Sequence, residues 1–423
     1  MTEKEAGSGG IAMLKSCHCK IVGVIVGFVL LLEAAGAMAA SLLANGVKSA
    51  EIPQTGGFRA EIERTLTGIT LPPGFHIGVF AMVPGARDLA VSADGAKVFV
   101  GTNGQDVFVI GVGPRHTATS VKRFAPGLAM VMPHGVCLAL DKTLYVVEQN
   151  RILAFPDAAA KADSPDLAAE VVVPLGQLIP ISEESSGHSA RVCRIGPDGK
   201  LYVTIGQPYN VPSPEKQALY EKTGLGAIMR MDRDGSHREI FASGIRNSVG
   251  LDFNPKDGTL WFTDNQVDRM GDDIPPGELN RATKPGQNFG FPWYGGGHVR
   301  TALYAKAAPP ADVVFPEIET VAHAADLGMI FYRGAMFPEK YRGGIFSAQH
   351  GSWNRSVPIG ARVMFSTLKP DGTGGEAAPF AEGWRQPDGS YAGRPVDVAE
   401  LPDGSLLVSD DQSGAVYRIW YGA

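Results

Sequence analysis

Six short strings place a polar or charged side chain directly ahead of an apolar run: Ala86-Arg87-Asp88, Pro133-His134-Gly135, Gly187-His188-Ser189, Gly244-Ile245-Arg246-Asn247, His323 to Asp326 and Gly393-Arg394-Pro395. Their residue types narrow the chemistry. An imidazole, with an unperturbed pKa of about 6.5, suits removal of a proton from a hydroxyl group near neutral pH. Guanidinium groups pair bidentately with carboxylates. A site that gathered these strings would therefore combine a proton acceptor with cationic and amide anchors for an anionic ligand.

What could gather them is a repeat. Short apolar runs recur around an Asp-Gly type of turn: Asp94-Gly95, Asp141-Lys142, Asp198-Gly199, Asp257-Gly258 and Asp403-Gly404, each followed by a run such as Leu201-Tyr202-Val203 and preceded by another. Asp-Gly supplies the positive φ angles of a tight hairpin, and β-branched and aromatic residues beyond it suit packed sheets. The turns are spaced by 47, 57, 59 and 146 residues, the last gap being right for two units. Tyr341-Arg342-Gly343-Gly344 before Ile345-Phe346-Ser347 supplies the degenerate member. Six units of strand, turn and strand predict an all-β, six-bladed propeller, whose blades leave no long exposed edge. The strings then project toward one mouth of the central channel. Helical periodicity near Glu215 to Lys222 and Asp157 to Ala169 is read as insertions between blades. A β-sandwich is the competing architecture, and regular spacing argues against it.

Composition agrees with a turn-rich chain. Its 53 Gly and 30 Pro exceed the roughly 30 and 21 expected from average usage. The net charge of −6, with no run of either sign, excludes a phosphate-binding stripe and hence nucleic acid as a partner. At the N-terminus, Lys15 and Lys20 flank the entry to the apolar run Ile21 to Leu32, and small residues lead to cleavage after Ala39 or Ala40. An uncleaved anchor over Ile21 to Leu43 is the alternative. Either reading sends residues 58–423, the propeller, to a periplasmic or extracellular space, with 1–57 as signal or membrane anchor plus linker. There Cys137 and Cys193 could pair, although sequence does not set their separation.

Several linked strings resemble the pyrroloquinoline quinone (PQQ) dependent sugar dehydrogenases, in particular the L-sorbosone and pyranose dehydrogenase branch related to soluble quinoprotein glucose dehydrogenase. They are His188 through Gly206 (HSARVCRIGPDGKLYVTIG), Gly244 through Gly250 (GIRNSVG), Gly271 through Asn280 (GDDIPPGELN), Asn288 through Trp293 (NFGFPW) and His350 through Arg355 (HGSWNR). The resemblance implies PQQ and calcium as cofactors and oxidation of a sugar hydroxyl or hydrated sugar aldehyde to lactone or acid. It implies His188 as the base, with His134 as rival base or substrate contact and His350 beside the substrate. Arg246 and Asn247 match the family's cofactor-binding pair. Arg87, Arg394, Arg355 and Trp353 are expected around the same cofactor. Asp272 and Asp273 fall on the segment matching the calcium loop, with Asp264 as second choice. Trp261 reads as blade core and Trp293 as a loop anchor.

After Gly206 this chain has Gln207-Pro208-Tyr209-Asn210-Val211 where sorbosone-type relatives often carry a cysteine-containing loop, so their substrate rim does not transfer. It also has no Cys-x-x-Cys-His string. Electrons are thus expected to leave to an external acceptor, a quinone or a cytochrome. Two other readings compete: a calcium-dependent lactonase-type propeller using Asp264, Asp272 and Asp326, and a non-catalytic binding propeller.

Overall fold

The computed structural model describes residues 41–43, 47–164 and 167–422. The apolar run and cleavage region expected at the N-terminus lie outside the described residues. Among the described residues no helix is long and apolar enough to cross a membrane.

Six sheets follow one another along the chain, antiparallel except where Gln287–Asn288 lies parallel to Glu239–Ser243 at the edge of the third, and each expected turn joins the two innermost strands of one blade. The innermost strands are Ala86–Val91, Gly135–Leu138, Cys193–Ile195, Leu251–Phe253, Asp326–Phe331 and Pro395–Glu400. Their partners, in the same order, are Lys97–Thr102, Leu144–Val147, Leu201–Ile205, Leu260–Asp264, Ile345–Gln349 and Leu406–Asp410. At the second turn Lys142 adopts the positive φ that glycine supplies elsewhere. The ring closes because Phe75–Met82, ahead of the first blade, pairs with Ala415–Tyr421 as the outer strand of the last. Farther toward the N-terminus, Ser41–Leu43 pairs with Ala168–Val173 on the rim of the second blade, and Glu51 bridges to Lys122 on the first. A helix, Gly57–Leu66, lies between these contacts and the closing strand.

Two expectations need correction. The helices Ala158–Lys161 and Gln217–Thr223 are insertions within the second and third blades, not between blades. Each joins consecutive strands of one sheet, where a long connection can pack over the blade edge.

Burial follows the seams. Six clusters of buried apolar residues each join two neighbouring blades. One holds Phe99 and Val146 between the first and second, and another holds Trp261 and Phe331 between the fourth and fifth. Blade packing is also tied by polar links at the axis. The Asp397 carboxylate accepts the Leu89 amide at 2.9 Å, Asp88 accepts Val136 at 2.8 Å, and Asp252 accepts Phe331 at 2.8 Å, each reaching the next blade's inner strand. Between the second and third blades the link is covalent, a Cys137–Cys193 disulfide with Cα atoms 5.7 Å apart. Val192, Val249, Leu327 and Val396, from four blades, form an apolar cluster just inside the mouth that the six strings surround.

Candidate functional site

The lead-ins to the inner strands and the ends of the second strands meet at one mouth. There a cavity of about 180 Å³ is lined by His188, Arg246, Asn247, Asp264, Asp268, His323, Asp326, Trp353 and Asn354, among others. A larger cavity of about 480 Å³ opens at the opposite ends of the inner strands. Its charged groups answer one another, Arg194 with Asp88 and Arg333 with Asp252, so the smaller cavity is the better candidate.

His188 is half-buried, with a positive φ of 51°. Its Nδ1 donates to the Gln207 carbonyl at 2.6 Å. A carbonyl can only accept, so the proton sits on Nδ1 and Nε2 keeps its lone pair. Burial, then the Arg246 charge, push its pKa down to about 4, leaving the ring neutral at physiological pH with the Nε2 lone pair available to accept a proton. His134 is arranged alike: Nδ1 donates to the Arg191 carbonyl at 2.9 Å, and Nε2 is buried without a partner among the described residues. Burial and the Arg87 charge hold its pKa well below the usual value. His350 differs, because its Nε2 donates to Asp411 at 2.8 Å.

Arg246 is buried, and four of its N–H groups are already engaged. They reach the Asn210 carbonyl (3.0 Å), the Asn265 carbonyl (3.1 Å), Asn210 Oδ1 (2.8 Å) and Asp268 Oδ2 (2.7 Å). Asn247, beside it, has a buried Oδ1 without a partner among the described residues. Gly206 is required there, because a Cβ would lie 2.4 Å from that oxygen. Arg87 pairs with Asp411 and leaves Nε buried and unpartnered. Burial opposes ionisation of Asp411, but the His350 hydrogen bond and the Arg87 charge hold it well below the usual carboxylate range. Arg394 donates to the carbonyls of His350 (2.9 Å) and Gly351 (2.6 Å). Arg355 binds the Asp272 and Ala322 carbonyls, tying the 353–357 loop to its neighbours, while Trp353 is 65% exposed at the cavity rim.

The three carboxylates expected to hold calcium are not assembled into one site. Both oxygens of Asp264 accept backbone amides, those of Asn247 (2.7 Å) and Arg246 (3.0 Å), so this residue shapes the Gly-Ile-Arg-Asn loop. Asp272 is turned onto Ser356, and the Asp273 side chain is 92% exposed. Two of the loop's carbonyls face His323, whose Nε2 lies 2.8 Å from that of Gly271 and 3.0 Å from that of Ile274. Asp326 is held by Thr320 and Gln349. Among the described residues no three His, Cys, Asp or Glu side chains form a group able to hold a metal ion. The acidic set needed by the lactonase reading is missing for the same reason.

Sequence reasoning passed over Asn210, Asp268, Asp411 and Arg191. Asp411 directly follows the second strand of the last blade, the position that Asn265 and His350 hold in the fourth and fifth. Second-strand ends were therefore as informative as inner-strand lead-ins.

A family model described as glucose/sorbosone dehydrogenase matches residues 178–352. The chain is 30% identical over 368 residues to an uncharacterized protein of Borreliella burgdorferi, covering 85% of this chain and 92% of that one. It is 27% identical over 240 residues to an aldose sugar dehydrogenase of Escherichia coli, covering 52% of this chain and 57% of that one. Among solved structures, the holo form of the pyranose dehydrogenase PQQ domain of Coprinopsis cinerea aligns with a TM-score of 0.66 at 17% identity, over 83% of this chain and 97% of that one. The calcium structure of a Trichoderma reesei carbohydrate-active enzyme of family AA12 aligns with a TM-score of 0.69 at 18% identity, over 84% and 97%. At such identities the structural likeness is one of fold.

Proposed function

The chain belongs to the glucose/sorbosone dehydrogenase family, and from that premise we propose that it is a PQQ-dependent oxidoreductase acting on a sugar hydroxyl or hydrated sugar aldehyde, with His188 as the base. The observation that carries the reading is the pairing, in one cavity, of a neutral imidazole whose Nε2 is free with the Arg246-Asn247 pair.

The mouth suits a multiply carboxylated cofactor. Arg394 has, among the described residues, no carboxylate partner, and Arg87 Nε and Asn247 Oδ1 are buried without a hydrogen-bond partner. Buried polar atoms of this kind are costly unless a ligand completes them. Arg87, Arg394 and Asn247 would hold PQQ, together with the one N–H of Arg246 still uncommitted. When bound, PQQ would accept the electron pair that leaves the substrate carbon with its hydrogen.

The protein's own part is to hold and move a proton. His188 Nε2 takes the hydroxyl proton as the carbonyl forms at the same carbon, yielding lactone from a cyclic sugar or acid from a hydrated aldehyde. The Nδ1–H bond to Gln207 keeps the ring oriented throughout. Calcium would complete the cofactor set; the side chains of Asp264 and Asp272 serve other partners, and no step is assigned to it.

Export through the N-terminal segment fits the Cys137–Cys193 disulfide, a linkage that persists in oxidising compartments. Electrons would pass to a separate acceptor there. The decisive experiment titrates purified protein with PQQ in the presence of calcium, follows the quinone spectrum, and then assays dye-linked oxidation of aldoses. Saturable binding with PQQ-dependent turnover is expected, and a silent spectrum would remove the reading.

A further inference from the structure

Arg191 stands three residues after His188, in the lead-in to the third blade, and is 2% exposed. Its Nη1 donates to the His188 carbonyl at 2.7 Å and lies 3.5 Å from that of Gly206, while Nε donates to the Gln149 carbonyl at 3.3 Å. Its own carbonyl accepts Nδ1–H of His134. A buried cation satisfied by carbonyls alone is unfavourable, and burial pulls its pKa down to about 10. An apolar side chain would fill the space without that cost.

We infer that Arg191 is a positioning residue: its guanidinium fixes the His188 backbone through the carbonyl, and its own carbonyl fixes the His134 ring, so one residue directs both imidazoles. The inference rests on the reading of His188 as the base. His188 has a φ sparsely populated by residues other than glycine. Such a conformation persists only where neighbours enforce it, and the Arg191 fork is the neighbour that grips this peptide. The cation also stands against protonation of both rings. Facing His188 are Arg246 and Arg191, with Asp264, Asp268, Asp326 and His323 in the same cavity. Facing His134 are Arg87, Asp411 and Arg191.

Two substitutions in the full chain separate charge from grip. Arg191→Gln keeps a donor and removes the charge, whereas Arg191→Lys keeps the charge and removes the fork. Titration of the histidine ring signals by NMR, assigned with His188→Ala and His134→Ala, needs neither quinone nor sugar. In Arg191→Gln both titrations should move up by about one unit, the scale of one nearby charge, and in Arg191→Lys they should stay near those of the parent. With an oxidised sugar, kcat should fall about tenfold in Arg191→Gln, with KM within about twofold, and Arg191→Lys should recover part of it. Unshifted titrations in a folded Arg191→Gln protein would overturn the inference. If that variant does not fold, undiminished kcat in Arg191→Lys would do so. A protein that oxidises no sugar would defeat the proposed function, while the ring titrations would still decide the role of Arg191.

Discussion

At the residue scale the argument comes down to which nitrogen carries a proton. His188 presents Nε2 as a base because Gln207 occupies Nδ1. Replacement by Ala should lower turnover by about a hundredfold or more and leave quinone binding largely intact, as spectral titration would check. The acid limb gives a second test. A base is active when deprotonated, and this one is pushed down to about 4, so kcat/KM should hold level from neutrality downward and fall only as pH approaches that value. A limb centred near 6.5 would point to a ring in ordinary surroundings. At this scale sequence reading found the imidazoles and the Arg246-Asn247 pair, because strings of fixed spacing carry them. It could not find Asp268 or Asp411, whose partners lie 22 residues away at Arg246 and 324 away at Arg87. Nor could it foresee that Asp264 is spent on two backbone amides, since an acceptor for peptide N–H groups and a metal ligand are the same residue on paper.

Elements hold these residues by links between adjacent strands. The disulfide joins the inner strands that follow His134 and His188, closing a loop with a sequence separation of 56. The double Cys137→Ser, Cys193→Ser variant should lose about 2–4 kcal/mol of stability, read as a lower denaturant midpoint. A second link carries a pH signature. Asp264 and Glu278 face each other across two strands of the fourth blade. Burial, then the Asp264 charge, push Glu278 up to about 8. Its folded pKa lies above its unfolded value, so folding favours the protonated acid, and stability declines as pH rises from the unfolded pKa through the folded one. Glu278→Gln should therefore raise the melting temperature more at pH 9 than at pH 5; an equal effect at both would show that the carboxyl is not held protonated. Hairpin turns were legible in the sequence because Asp-Gly is a local signal. Which strand neighbours which is not local, and the helical insertions were misassigned to the gaps between blades for that reason.

For the whole molecule, the number of blades was readable from spacing, even where Gly343-Gly344 replaced the usual turn. Closure was not. The strand that completes the last blade, Phe75–Met82, has no turn marker, and its partner Ala415–Tyr421 is more than 300 residues away. Deleting residues up to Met82 should expose the apolar edge of Ala415–Tyr421 and replace one cooperative unfolding transition by a broad one, as calorimetry would register. The apolar cluster of Val192, Val249, Leu327 and Val396 has a different consequence. It packs side chains from four blades against one another just inside the mouth that holds His188, so that stretch of the axis is apolar and closed to water.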